Sequence, residues 1–462
     1  MYRANLHPRH VTFSCANPIL VPVRYKLSML VAAVLVLGVA TLAYAHATLV
    51  SAVPAAGSHL ENSPLQLRLV FSEALEIPMA QVALVSSTGK RVRLTTKGDP
   101  HDVNALIALV PPLAPGSYRV EWRVVSDDGH PVSGTYEFGV GVGAGVAVGS
   151  PSATETARPA TVDPGWGPQF LGAPISPAML RGTALFALLA FVGMLGFMAV
   201  PASIAEQLAR PRESVARWLG AAAIALFGCS TLAWILNVTP DHSLAWESAK
   251  TALKTTEGTA QWNRVLMTFL ATSMLRNMGR VRGALFFGVA AILISGASGH
   301  SAAISPFLAT PAKSIHLLAS AAWLGGLIWF IAGGPRDANT MSSEVRRLSS
   351  VALAAVILVF LSGAAQTLLF LPSLADLFHT AYGAVILAKV AGFGVLVLFG
   401  AKHRYRMMPR LTSDAAMPGL LAVSLRREIF TMGVVVLIGG FLAFVPTPAR
   451  PAVPSSPLAL TR

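Results

Sequence analysis

Charge is scarce in this sequence: only 12% of its 462 residues are Asp, Glu, Lys or Arg, while 54% are hydrophobic. So little charge excludes an ordinary soluble or disordered chain and places the protein in the membrane class. Acidic residues are the scarcer sign, 21 against 35 basic ones, for a formal net charge of +14. That excess does not point to nucleic acid, because the basic residues gather between apolar segments and near the N-terminus, as membrane insertion requires. Cysteine is nearly absent. Cys15 precedes a cleavage point and Cys229 lies inside an apolar run, so neither a disulfide framework nor a thiolate metal pair is available. The sequence also lacks a Gly-x-x-x-x-Gly-Lys-Ser/Thr loop and an Asp-Lys-Thr-Gly phosphorylation motif. Any transport must then run on a gradient, a redox step or downhill release.

Arg24 and Lys26 precede the apolar run from Leu27 to Leu42, and Ala43-Tyr44-Ala45 has the small-x-small form of a signal-peptidase site. Residues 1–45 therefore read as a signal peptide, with translation starting nearer Met29 or with an extended basic leader. Cleavage would make His46 the first residue of the mature chain. A terminal histidine offers its amine and a ring nitrogen to one ion, a chelate that suits divalent metals and Cu(II) best.

Residues 46–143 carry short runs of alternating apolar residues: Leu65, Leu67 and Leu69; Val82 and Leu84; Val92 and Leu94; Tyr118, Val120, Trp122 and Val124; Tyr136, Phe138 and Val140. Period two, broken by Pro, Gly and Ser, predicts a small antiparallel all-β sandwich or barrel with Trp122 at its centre. Between two of the runs lies Ser126-Asp127-Asp128-Gly129-His130-Pro131. If this segment is extended, Asp128 and His130 project to one side, and Gly129 lets the chain turn closely. With His46 they supply three nitrogens and a carboxylate oxygen, a tetragonal Cu(II) set. Glu73 is a further ligand or a hydrogen-bond acceptor behind the ligands. Most Asp-Gly-His triplets are only turns, so this reading leans on the terminal histidine.

His46-Ala-Thr-Leu, Ser51-Ala-Val-Pro54-Ala-Ala-Gly57, Phe71-Ser72-Glu73 and Tyr118-Arg-Val-Glu-Trp122 running on to Ser126-Asp-Asp128-Gly129-His130-Pro131 resemble the periplasmic copper-binding CopC family. The resemblance implies an all-β immunoglobulin-like sandwich and a Cu(II) site at His46, Asp128 and His130 with Glu73 near it. Some members add a methionine-rich Cu(I) loop; here Met79 is the single methionine of the domain. His59 and His101 then belong to the surface.

Residues 144–177, rich in Gly, Ala, Pro, Ser and Thr, read as a tether that lets the first domain swing. An all-α polytopic membrane domain is expected over 178–446, with eight transmembrane helices at about 178–200, 216–237, 262–276, 282–299, 312–332, 349–371, 380–400 and 428–446. Residues 447–462 form a proline-rich disordered tail. Arginines at 210, 212 and 217, at 276, 280 and 282, and at 336, 346 and 347 fall between alternate spans. This bias places the first domain and the C-terminus in the periplasm and the protein in the inner membrane. His300 and His316 then sit at neighbouring outer helix ends, where an ionisable group is a site candidate and equally a helix-terminal residue in headgroup water. The small residues before His300 and the Gly325–Gly326 pair would bring these two helices close enough to share a metal. His379 is a second candidate, and His242 sits in an outer loop. His403 lies among inner arginines on a solvated basic face. Lys389 is buried within a span and needs a partner, for which Glu428 is available. Met194, Met198, Met267 and Met274 offer thioethers to Cu(I), although methionines on apolar helices usually pack.

The Ser-Gly run ending at His300, His316-Leu-Leu-Ala-Ser-Ala-Ala-Trp323-Leu-Gly325-Gly326, and Thr380-Ala-Tyr382-Gly383 followed by Lys389 resemble the CopD family of inner-membrane copper proteins, fused to CopC as in the YcnJ-like copper proteins. The resemblance implies copper handling: Cu(II) captured in the periplasm, passed to the membrane domain as Cu(II) or Cu(I), and carried inward. A periplasmic copper donor and a cytoplasmic copper acceptor would be its partners, besides the bilayer. The alternatives are a periplasmic store or sensor, a resistance protein without transport, or a copper oxidase built on the terminal histidine.

Overall fold

Alternating apolar side chains on short runs can bury one face only by layering sheets, and that is what the N-terminal residues do. The computed structural model describes residues 48–127, 129–141, 161–162, 168–171, 173–200, 206–278, 280–299, 301, 305–334, 337–445 and 447–448. Strands β1 (Leu49–Val53), β2 (His59–Leu60), β3 (Gln66–Phe71), β4 (Gln81–Ser86), β5 (Arg91–Asp99), β6 (Asp102–Leu109), β7 (Gly116–Val125) and β8 (Pro131–Val140) run in the order β1-β3-β6-β5-β4-β7-β8-β2. Strand β5 pairs with both β4 and β6 and so joins the two layers. Leu67, Leu69, Val82, Leu84, Leu94, Val120, Trp122, Val124, Tyr136, Phe138 and Val140 close on one core. Trp122 lies edge-on to Phe71 with ring centroids 5.1 Å apart. Leu65 differs from expectation: it precedes β3 and is 85% exposed. Strand β6 escaped the alternation rule because Ala105, Leu106, Ile107 and Ala108 are all buried, which erases period two.

The helical part comprises α1 (Ile175–Ala199), α2 (Glu206–Val238), α3 (Trp246–Leu253), α4 (Thr256–Met278), α5 (Val281–Gly296), α6 (Ala309–Ala332), α7 (Ala338–Phe370), α8 (Asp376–His379), α9 (Ala381–Lys402) and α10 (Met417–Leu442). The expected eight transmembrane helices are not found. Among the described residues five helices are long and apolar enough to cross a membrane: Ile175–Ala199, Ala209–Val238, Ala309–Ala332, Asn339–Phe370 and Ala381–Arg410. The other three stretches are helical but fall short for identifiable reasons. Helix α5 has 16 residues, about 24 Å at 1.5 Å per residue, against a hydrocarbon core of about 30 Å. Helix α4 buries Glu257, Gln261, Arg264, Thr268 and Thr272. Helix α10 places Arg426, Arg427 and Glu428 within its length. Counting apolar runs overlooked polar residues that face the bundle interior.

Small residues set the closest helix contacts. Gly325 of α6 meets Gly193 of α1, not the helix before His300, backbone to backbone, so a Cβ on either would overlap the other helix. The helix before His300 does come close to α6, at Gly296 against Ser314, about three turns before Gly325. Met194 is wholly buried in the bundle core, with Met198, Met267 and Met274 packed against it.

The sandwich is seated on the bundle. Met79 and Val125 pack with Trp234, Ile235 and Val238 of α2 and Ala252 of α3. Arg123 Nη1 donates to the Val238 carbonyl at 3.0 Å, and Thr256 N–H donates to Glu76. The tether expected over 144–177 falls mostly outside the described residues. Its Thr161–Val162 segment, β9, pairs with β8 at Val132 and Ser133, immediately after His130.

Candidate metal centre

Strands β7 and β8 are paired from Gly116–Val140 to Val125–Pro131, which leaves Ser126 to His130 as the connecting loop. Ser126 N–H donates to the His130 carbonyl at 3.1 Å, and Gly129 N–H to the Ser126 carbonyl at 2.8 Å. Gly129 has φ +88°, a conformation in which glycine is favoured. The loop is therefore a closed turn rather than the extended segment assumed from sequence. Asp128 lies outside the described residues, as do His46 and His300.

A second segment runs along this loop. Asp127 N–H donates to the Ala74 carbonyl at 2.9 Å, and Glu76 N–H to the Val125 carbonyl at 2.8 Å. Glu73 lies half-buried in that segment. Thr48, where the described chain begins, is tied beside it: Thr48 N–H donates to Ser72 Oγ at 3.0 Å and Ser72 N–H returns a bond to the Thr48 carbonyl at 3.0 Å. His130 is 7% exposed, with its ring edge-on to Phe444, centroids 5.8 Å apart.

Under the loop the membrane domain presents charge. Gly129 rests on Glu257 and Trp234. Glu257 Oε1 accepts from Arg181 Nη1 at 3.2 Å and Gln261 Nε2 at 3.0 Å, and Arg264 Nη2 lies 3.7 Å away. Arg264 also donates to Gln261 Oε1 and Ser298 Oγ, both at 3.0 Å. Lys313 Nζ donates to the Ser298 carbonyl at 2.7 Å and Ser301 Oγ at 3.1 Å. His316 follows three residues later on α6, so it lies on the neighbouring turn of the same face. This polar chain was missed from sequence, although Glu257, Gln261 and Arg264 have the i, i+4, i+7 spacing that aligns them on one helix face.

His316 is oriented by a serine. Ser362 Oγ donates to the Leu358 carbonyl, so its contact with His316 Nδ1 at 3.1 Å has the ring N–H donating and leaves the Nε2 lone pair for a metal. His379 is exposed at the end of α8. Among the described residues no group of three or more His, Cys, Asp or Glu side chains is placed to hold one ion. Glu73, His130, His316 and His379 are thus not brought into a single site.

At the other end of the bundle, His403 is 8% exposed rather than solvated. Its Nδ1 lies 3.1 Å from Glu428 Oε2 and its Nε2 2.8 Å from Ser424 Oγ. Glu428 Oε1 accepts from Trp323 Nε1 at 2.9 Å. The acid serves this pair instead of Lys389, because a π-helical turn from His403 to Met407 rolls the imidazole inward.

Docking gives the interface a pH dependence. Burial of Glu76 beneath α4 pushes its carboxyl above the usual range, against the lowering by the Thr256 N–H bond, and the Asp127 charge adds to the rise. A raised carboxyl pKa favours the protonated docked form. Docking is therefore strongest below the ordinary carboxylate value and weakens as pH rises through the raised one. Glu76→Gln is expected to remove this dependence and to slow amide exchange at the start of α4 at neutral pH, measured by hydrogen–deuterium exchange. Protection of these amides, corrected for intrinsic exchange, that stays unchanged across pH 4 to 8 in the parent protein would contradict it.

The comparisons agree with this division of the chain. A CopC domain model matches residues 49–141 and a Copper resistance protein D model matches residues 342–442. Copper transport protein CutJ of Bacillus subtilis (strain 168) is 27% identical over 436 residues, 88% of this chain and 76% of that protein. Copper resistance protein C of Escherichia coli is 38% identical over 117 residues, 23% of this chain and 90% of that protein. The crystal structure of CopC from Methylosinus trichosporium OB3b covers 21% of this chain and 93% of its own, at 41% identity and a TM-score of 0.20. With a CopC domain spanning nearly the full length of its free-standing relatives and a CopD match in the helical part, the chain belongs to the CopC family as a CopC–CopD fusion.

Proposed function

We propose that His46, Asp128 and His130, with Glu73 beside them, capture Cu(II), and that the ion moves through the bundle by way of His300 and His316 toward the cytoplasm. The coarser function follows from the family: the chain binds copper in the periplasm and passes it to a multi-pass inner-membrane domain, in transport or resistance, and is not an enzyme. The observation that carries the finer reading is the seat of the Ser126–His130 loop on Glu257, at the head of the polar chain leading to Lys313 and His316. Thr48 is bonded to Ser72, the residue before Glu73, so the chain that would lead back to a terminus at His46 starts from the segment that runs along the loop. Phe444 beyond α10 touches His130, which supports a periplasmic C-terminus independently of any count of spans. Passage as Cu(I) would need an external reductant and would favour thioethers, but Met194 is wholly buried in the bundle core, which leaves His316 as the ligand on this route. His379 stands exposed as an entry-side ligand.

Copper flux into proteoliposomes enclosing a chromogenic chelator tests the route. His316→Ala is expected to lower flux at least about tenfold, the scale of losing an oriented ligand, while Cu(II) binding by the sandwich persists. Flux equal to the parent protein would sink the route through His316, and a chain that binds without any flux would be a store. In cells, the intact protein should raise copper content above that of the His300→Ala/His316→Ala variant. A lower content would reverse the direction.

A further inference from the structure

Glu257 has a feature that its ion pairs do not explain. It is 3% exposed, and its Oε1 takes Arg181, Gln261 and the nearby Arg264. Its Oε2 is buried and accepts no hydrogen bond. A buried carboxylate oxygen without a donor is costly, and such an atom in a folded protein points to a water or an ion beside it. The loop that bears His130 lies directly on this side chain: a Cβ at Gly129 would stand 3.1 Å from Glu257 Cγ. Phe444 contacts both neighbours of this carboxylate, His130 edge-on at 5.8 Å between centroids and the Arg181 guanidinium at 5.9 Å from its ring centroid.

We propose that Glu257 Oε2 is a copper ligand supplied by the membrane domain to the ion held at the His130 loop, and the group that receives it. This rests on the reading of that loop as the Cu(II) site and adds the residue through which the domains share the metal. The arrangement has the form of a metal-ligating carboxylate: one oxygen fixed by donors, the other left for the ion. Two guanidiniums close to the carboxylate, those of Arg181 and Arg264, more than offset its charge when the ion is absent. They also weaken its hold when present, because like charge at this range opposes a divalent cation. A weak acceptor suits transfer rather than storage. The next polar groups inward, Gln261, Arg264 and Ser298, already lead toward Lys313 and His316.

The test uses the purified full chain in detergent with one equivalent of Cu(II), read by electron paramagnetic resonance and by proteoliposome flux. Glu257→Gln is expected to change the parallel hyperfine splitting and to lower flux at least about tenfold, with Glu257→Asp recovering part of both. Since loss of the acid leaves Arg181 and Arg264 without a counter-charge, the Arg181→Gln/Glu257→Gln double variant serves if the single one does not fold, with the same two readouts. A parent-like spectrum or parent-like flux in these variants, while His130→Ala still replaces the parent spectrum by that of unbound Cu(II), would overturn the proposal and make Glu257 a counter-ion only. A spectrum indifferent to His130→Ala would overturn the loop as the copper site and this proposal with it.

Discussion

His130→Ala in the full chain is expected to weaken Cu(II) binding by more than about 100-fold. Loss of a residue that merely orients a ligand costs about 10- to 100-fold in affinity, so loss of a nitrogen ligand itself should exceed that range. A factor of 100 corresponds to about 2.7 kcal/mol. The substitution is clean because the turn is closed by main-chain atoms: Ser126 N–H to the His130 carbonyl and Gly129 N–H to the Ser126 carbonyl. Alanine keeps both bonds. The edge contact with Phe444 that it removes lies between the sandwich and the helical part and outside the sandwich core, so the sandwich should unfold at nearly its parent temperature. Competition against a chromogenic chelator measures the affinity, and thermal unfolding followed by tryptophan fluorescence checks the fold. A loss smaller than about threefold in a folded variant would remove His130 from the ligand set. His59 is the matched control: it lies exposed against Gly139 in β2, and His59→Ala should leave the affinity unchanged.

The sandwich was legible in the sequence because its core side chains alternate. Trp122, Val120 and Val124 could be assigned inward from period two alone, whereas β6 could not, since burial on both faces leaves Ala105 to Ala108 without a pattern. The loop at Asp128–His130 was legible as composition but not as shape. Extended geometry was assumed, while the hydrogen bonds of Ser126 and the positive φ of Gly129 make a closed turn. The membrane domain was read correctly as helical and wrongly as eight spans, because hydropathy averages over a helix and cannot say that Glu257 and Arg264 face inward and pair with groups on other helices. Nor could one chain position reveal that Arg212, counted among inner surface arginines, is buried, or that His403 is turned away from water by a π-helical turn. Tertiary pairing across helices leaves no local periodic trace.

Arg212→Met is expected to destabilise the bundle by about 3–5 kcal/mol, the cost of stranding one member of a buried ion pair. Arg212 is 1% exposed and Glu344 7%. The guanidinium Nη2 donates to both carboxylate oxygens, at 2.7 and 2.8 Å, and Nε donates to the Trp329 carbonyl at 3.1 Å. The group also lies 3.8 Å from the Trp329 ring centroid, so one side chain ties α2, α6 and α7 by a bifurcated bond, a main-chain bond and a stacked cation. Lysine can supply the charge but neither the second nitrogen that reaches Trp329 nor the planar stack, and Arg212→Lys should recover less than half of the loss. Removing both charges, as Arg212→Met with Glu344→Leu, should restore most of the stability, because apolar groups of similar volume often replace a buried pair without penalty. The thermal midpoint in detergent should fall by roughly 10 °C in the single variant and return toward the parent value in the double one. Equal loss in both would mean that packing around Trp329, rather than the stranded carboxylate, sets the cost. A single variant as stable as the parent would show that the pair contributes nothing to holding these helices together.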